Sequence, residues 1–305
     1  MKNLLCILLG TTLSFSVMGA TATKTEDQSK AEKHANTQVQ QKVTEKRKEI
    51  LQDATMAMNQ TKNALKLLDE GNKKGAIDAL ESATGKLELI VARDPKLSLA
   101  AFDYNVETRA LLNDLISVKN IKDQAEDLLE DDRVQEAAAL LANLKSEMVI
   151  SVANIPLATY PAAMKEAARL IDQNKTDEAK DVISGALGTV VVTENIIPLP
   201  VARAEYLLNE SEKLAEKKNR SKDENKRLNT LMDDARKELQ FAEELGYGQK
   251  EDFKNLYAQL DDVLKKTEDG KSGSGWFNDV KRSISGIFDD SDSSKDEKQA
   301  QEESK

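Results

Sequence analysis

The chain of 305 residues carries 44 lysines and arginines against 54 aspartates and glutamates, giving a formal net charge of −10, and aromatic residues make up only 4% of it. This acidity argues against a nucleic-acid partner, because such binding draws most of its affinity from cations set against phosphates. The shortage of rings favours close-packed helices over a β-sandwich or barrel.

Met1-Lys2-Asn3 is followed by a mainly apolar run from Leu4 to Met18 and then by Gly19-Ala20-Thr21-Ala22. This is the layout of a cleavable secretory signal over residues 1–22, with Ala20-x-Ala22 as the cleavage site. The apolar run is about fifteen residues long, too short to span a bilayer core of roughly 30 Å comfortably. The mature protein is therefore expected in the periplasm. The only cysteine, Cys6, falls inside the signal, so the mature chain forms no disulfide and offers no thiolate. Residues 23–38 are polar and read as a mobile lead-in. His34, the only histidine, lies there and is expected to be exposed and idle.

Order is expected from Val39, where apolar residues recur at helical spacing through Leu68. Ala64, Ala125 and Ala167 then share one register: apolar residues three and four places on, Ala twelve places on, and Pro thirty-one places on. The residues are Leu67/Leu68/Ala76/Pro95, Leu128/Leu129/Ala137/Pro156 and Leu170/Ile171/Ala179/Pro198. Such a register predicts a repeated helical hairpin with a polar inner turn. Successive units are 61 and 42 residues apart, and the 19-residue difference reads as an extra helix over 98–117, carrying Phe102, Val106, Leu111, Leu112, Leu115 and Ile116. The β-branched runs Met148-Val149-Ile150-Ser151-Val152 and Val190-Val191-Val192-Thr193 could form short strands. Helix is the preferred reading, since the matching Leu87-Glu88-Leu89-Ile90-Val91 carries a weaker strand signal. Further helices follow through Leu207, Leu231 and Leu256, closing a domain over 39–267. The expected fold is all-α: antiparallel helical hairpins stacked into a bundle, with a linked C-terminal amphipathic helix.

Residues 268–275 are rich in Gly and Ser and read as a flexible linker. Over 276–288, Trp276, Phe277, Val280, Ile284, Ile287 and Phe288 share one helix face, opposite a charged one. These six are the candidate interaction residues. They suit a membrane interface, a protein client or another subunit, and equally a return onto the chain's own domain. Residues 289–305 form an acidic tail expected to be disordered.

The sequence has no histidine-rich cluster, no glycine-rich phosphate loop and no G-x-S-x-G elbow. No catalytic residue, metal or cofactor is expected. Asn154, Glu194, Asn195 and Arg203, near the Ile-Pro-Leu junctions at 155–157 and 197–199, are candidate buried polar residues. A structural Glu–Arg or Asn–backbone contact is the favoured role, ahead of a binding pocket.

The phrase Ala64-Leu65-Lys66-Leu67-Leu68-Asp69-Glu70-Gly71 with Ala76, and the run from Ala179 through Val191-Val192-Thr193-Glu194-Asn195-Ile196-Ile197-Pro198-Leu199, resemble the YfdX family of secreted bacterial proteins over roughly 40–265. The resemblance implies a mostly helical, periplasmic, non-enzymatic protein linked with stress and with chaperone-like behaviour. A tetratricopeptide array fits less well, since spacings of 61 and 42 residues are far from its repeat of about 34. The expected function is binding of unfolding polypeptides or a partner protein. The alternative is a small-ligand-binding or structural scaffold. A homo-oligomer is left open.

Overall fold

The repeated register is carried out by one turn used three times. In a computed structural model, which describes residues 25–110 and 115–290, α2 (Gln52–Asp69) turns into α3 (Lys73–Arg93), α4 (Leu115–Glu130) into α5 (Val134–Leu141), and α6 (Tyr160–Asp172) into α7 (Thr176–Leu187). At the same point of each turn, Gly71, Asp132 and Asn174 take φ of 76°, 59° and 61°. Only Gly, and less readily Asn and Asp, tolerate this left-handed backbone. The following amides of Asn72, Arg133 and Lys175 donate to the carbonyls of Leu67, Leu128 and Leu170 at 2.8, 2.8 and 2.9 Å. The bond spans five residues each time, so the last carbonyls of the first helix are satisfied while the chain reverses.

Each hairpin then leads to a strand. β1 (Leu99–Arg109), β2 (Glu147–Pro156) and β3 (Val191–Pro198) form an antiparallel sheet in the order β1-β2-β3. The register runs from Leu99↔Pro156 to Arg109↔Glu147 on one side of β2 and from Glu147↔Pro198 to Asn154↔Val191 on the other. The protein is thus mostly helical but not all-α, and the helical reading of both β-branched runs is corrected. Val149, Ile150 and Val152 lie in the central strand, where branched side chains pack against neighbours on both sides. The extra helix over 98–117 is also corrected: Phe102 and Val106 belong to β1, and Leu115 and Ile116 open α4. Leu111 and Leu112 lie outside the described residues. The longer first unit comes mainly from α3, which runs 21 residues where α5 runs 8.

The hairpins α2–α3 and α6–α7 pack face to face around Leu68, Leu80, Met164, Ile171 and Ile183, with Ala100 and Ile155 of the sheet joining the same core. A second core gathers α8 (Leu199–Glu216), α9 (Lys222–Glu244), α10 (Lys250–Thr267) and α11 (Asn278–Asp290). The polar segment expected to be mobile is instead ordered into α1 (Glu26–Glu49). A capping box between Thr25 and Gln28 starts it, with the Gln28 amide donating to Thr25 Oγ1 at 3.2 Å and the Thr25 amide to Gln28 Oε1 at 3.0 Å. Ala31, Ala35 and Val39, four residues apart, bury one face of α1 against α8 and the sheet.

The expected flexible linker is corrected as well. Glu268–Gly270 forms a single 3-10 turn, the Gly273 amide donates to the Ala215 carbonyl at 3.2 Å, and Arg220 reaches across to hold the segment. Beyond it, Phe277, Val280, Ile284 and Ile287 are fully or almost fully buried in the second core. The signal at 1–22 and the tail beyond 290 lie outside the described residues.

Candidate interaction surface

The middle hairpin, α4–α5, repeats the positions that build the first core, but among the described residues it takes no part in that core. Its small residues behave like those of its siblings: Ala125 and Ala137 are as buried as Ala64 and Ala76, or Ala167 and Ala179. Its large ones do not. Leu129 is 46% exposed, whereas Leu68 and Ile171 at the matching positions are 3% and 2% exposed. Leu141 is 40% exposed, whereas Leu80 and Ile183 are both at 0%. Val134, one helical heptad before Leu141 and so on the same face of α5, is 55% exposed, and Ile116 reaches 70%. Single exposed leucines are ordinary on a soluble protein. Here, however, Leu129 and Leu141 hold positions that are buried in the shared core of the other two hairpins.

Lysines on α4 hold the hairpin to α9. Lys122 Nζ lies 2.6 Å from Glu244 Oε2, and Lys119 Nζ lies 3.5 Å from Oε1. Burial pulls the Glu244 carboxyl upward, but its hydrogen bond with Lys122 and the charges of both lysines win, leaving it below the ordinary carboxylate range.

The candidate residues at the C-terminus are placed differently from an interaction site. Phe277, Val280, Ile284 and Ile287 face inward, and Trp276 packs half-buried against the same core. The side chain of Phe288 lies outside the described residues. Of the polar candidates, Asn154 is buried as expected, with its Nδ2 donating to the carbonyls of Val152 and Val191 at 2.9 and 3.2 Å. Arg203 makes the anticipated kind of pair, with Glu238, through Nε at 2.9 Å. Glu194 is exposed on β3 beside Ser151, and Asn195 sits opposite Ile150, so neither is a buried charge seeking a partner. His34 is half-buried beside Tyr206, with ring centroids 5.3 Å apart, which corrects its expected exposure.

Two polar features were not anticipated. Buried Glu147, at the start of β2, receives Arg109 Nη1 at 3.1 Å and the Tyr247 hydroxyl at 3.0 Å, and the Ser146 amide donates to that same hydroxyl at 3.0 Å. Burial and the neighbouring Glu147 charge push the Tyr247 hydroxyl far above its usual range. This network pins the sheet to the α9–α10 turn. Separately, a cleft of about 640 Å³ opens between the α1–α2 junction, the end of α3 and the sheet, lined in part by Asp53, Arg93, Asp94, Leu97 and Asn154. Asp53 is bound there by Lys86 at 2.8 Å and Arg93 at 3.0 Å.

The fold defines a helical-hairpin repeat protein in which three hairpins each feed one strand to a shared sheet. Residues 57–196 match the model of the YfdX protein family. The match runs from within α2 to within β3, so it takes in the three repeats and leaves out α1 and α8–α11. A solved structure of YfdX from Salmonella Typhi aligns with 49% of this chain and 93% of its own, at 15% identity and a TM-score of 0.35. No curated protein matches the sequence.

Proposed function

We propose that the mature protein is a non-enzymatic periplasmic protein that binds unfolding polypeptides or a partner protein, and that α4–α5 is the binding element. The observation that carries this reading is the exposure of Leu129 and Leu141 at positions whose counterparts are buried in the other two hairpins. Burying a leucine is worth roughly 1.5–3 kcal/mol, so a partner covering both gains affinity without any rearrangement of the rest of the core. The C-terminal helix, for which an interaction site and a return onto the chain's own domain are equal expectations from the sequence, has its apolar face in the second core with α8–α10. The test is suppression of the aggregation of a thermally unfolding client by the mature chain. The reading requires suppression that weakens when Leu129 and Leu141 become Ser. It fails if the double variant is folded and fully active.

A second reading, binding of a small molecule, is favoured by the cleft beside Asn154. Saturable ligand binding that is lost in Asn154→Leu and kept in the Leu129/Leu141 variant supports it.

A further inference from the structure

We infer that the partner of α4–α5 is a basic amphipathic helix. This rests on the proposed function of the hairpin and names the chemistry of what it binds. The chain's other two hairpins satisfy each other on both counts. They meet through apolar side chains, and their rim is closed by cations of one hairpin set against anions of the other: Lys180 lies 2.7 Å from Asp69, and Lys165 lies 2.5 Å from Glu88. In the middle hairpin the position of Asp69 is taken by Glu130, by the same 61-residue offset that places Leu129 on Leu68. A partner seated on α4–α5 as α6–α7 sits on α2–α3 would therefore have to bring a cation to Glu130.

A second copy of the same hairpin cannot do so, because the position of Lys180 is occupied in it by Ala138. Nor has the hairpin cations to spare. Lys119 and Lys122 are taken by Glu244, and Arg133 holds Glu136 with Nε and Nη2 at 2.8 and 2.6 Å. Asp123, Glu126, Asp127, Glu130, Asp131 and Asp132 make no ion pair among the described residues. Two such hairpins brought together would oppose like charges, which costs free energy as surely as opposite charges gain it. An amphipathic helix with an apolar stripe and lysine or arginine on its flanks fits both halves of the surface.

The probes are two fluorescently labelled helical peptides with the same leucine spacing, one flanked by lysine and one by glutamate, titrated against the mature protein by anisotropy. The lysine peptide is expected to bind at least tenfold more tightly, to weaken as salt rises, and to lose at least tenfold with Glu126→Lys/Glu130→Lys. That variant changes only exposed side chains, and circular dichroism checks its fold. Equal binding of the two peptides, or no loss in the charge-reversed variant, overturns the inference. So does a Leu129-dependent dimer seen by light scattering, which makes a second copy the occupant. If the lysine peptide fails while Leu129-dependent suppression of client aggregation persists, the inference falls and the proposed function stands. If both are absent, both fall.

Discussion

The guanidinium of Arg220 donates to the carbonyl oxygen of Lys271 at 2.6 Å, tying the turn after α8 to the segment that leads into α11. The same group also donates to the carbonyls of Leu214, Ala215 and Lys217 at the end of α8, and Nε donates to Asn225 Oδ1 at 2.8 Å. One planar fork thus caps a helix C-terminus and holds a glycine-rich segment that would otherwise be free.

Replacing Arg220 with Met takes the guanidinium donor from the carbonyls of Lys217, Thr267 and Lys271, while those of Leu214 and Ala215 keep the amides of Lys217 and Gly273; a carbonyl left unsatisfied and buried costs about 1–3 kcal/mol. The expected loss is roughly 2–4 kcal/mol in urea unfolding, with Lys a poor substitute because its three donors lack the fork geometry. A midpoint unchanged in Arg220→Met contradicts the clamp.

Phe277 and Ile284 are core residues. Phe277→Ala should therefore cost about 3–5 kcal/mol and Ile284→Ala about 2–5 kcal/mol. Both costs appear in equilibrium unfolding, and any binding defect in these variants should track the unfolded fraction. A folded, stable Phe277→Ala protein with lost binding returns α11 to the role of an interaction site.

The repeats make an internal comparison available. Leu80 and Leu141 hold the same register position, one fully buried and the other 40% exposed. Leu80→Ala should cost about 2–5 kcal/mol and Leu141→Ala less than about 1 kcal/mol. Equal losses in denaturant midpoints imply that α4–α5 is covered in solution by another part of the chain or a second copy.

Because the Glu244 carboxyl sits below its ordinary value of 4.5 in the folded protein, its contribution is fully present above that value and is lost as pH falls through the depressed one. Acid should then loosen α4 from α9. Amide exchange over 115–130, corrected for intrinsic rates, should rise between neutral pH and the acid side of the carboxylate range, and Glu244→Gln should show the faster exchange already at neutral pH. Exchange that is unchanged in both cases removes Glu244 as the anchor.

The hairpins were legible in the sequence because their cause is local: a left-handed residue at 71, 132 and 174, and alanines that let two helices approach. The sheet was not, because its partners are distant. Glu107 pairs with Val149, and Ser151 with Glu194, so no window of local spacing contains the ladder. The first strand also departs from the repeat, lying beyond a longer α3 at a register the other units do not share. In α1 the buried stripe is Ala31, Ala35 and Val39, too small to stand out from the polar residues around it. Arg220 makes the linker rigid from a turn some fifty residues earlier. As for the candidate surface, Leu129 was visible as part of the register, but whether a register position is covered depends on which hairpins the fold brings together.

The most direct measurement is hydrogen–deuterium exchange of the mature protein with and without a saturating, partly unfolded client. The account predicts protection on binding within residues 115–144, centred on Leu129 and Leu141, with α11 unchanged. Protection confined to 276–290, or spread over the α2–α3 and α6–α7 pair with none in α4–α5, would contradict it.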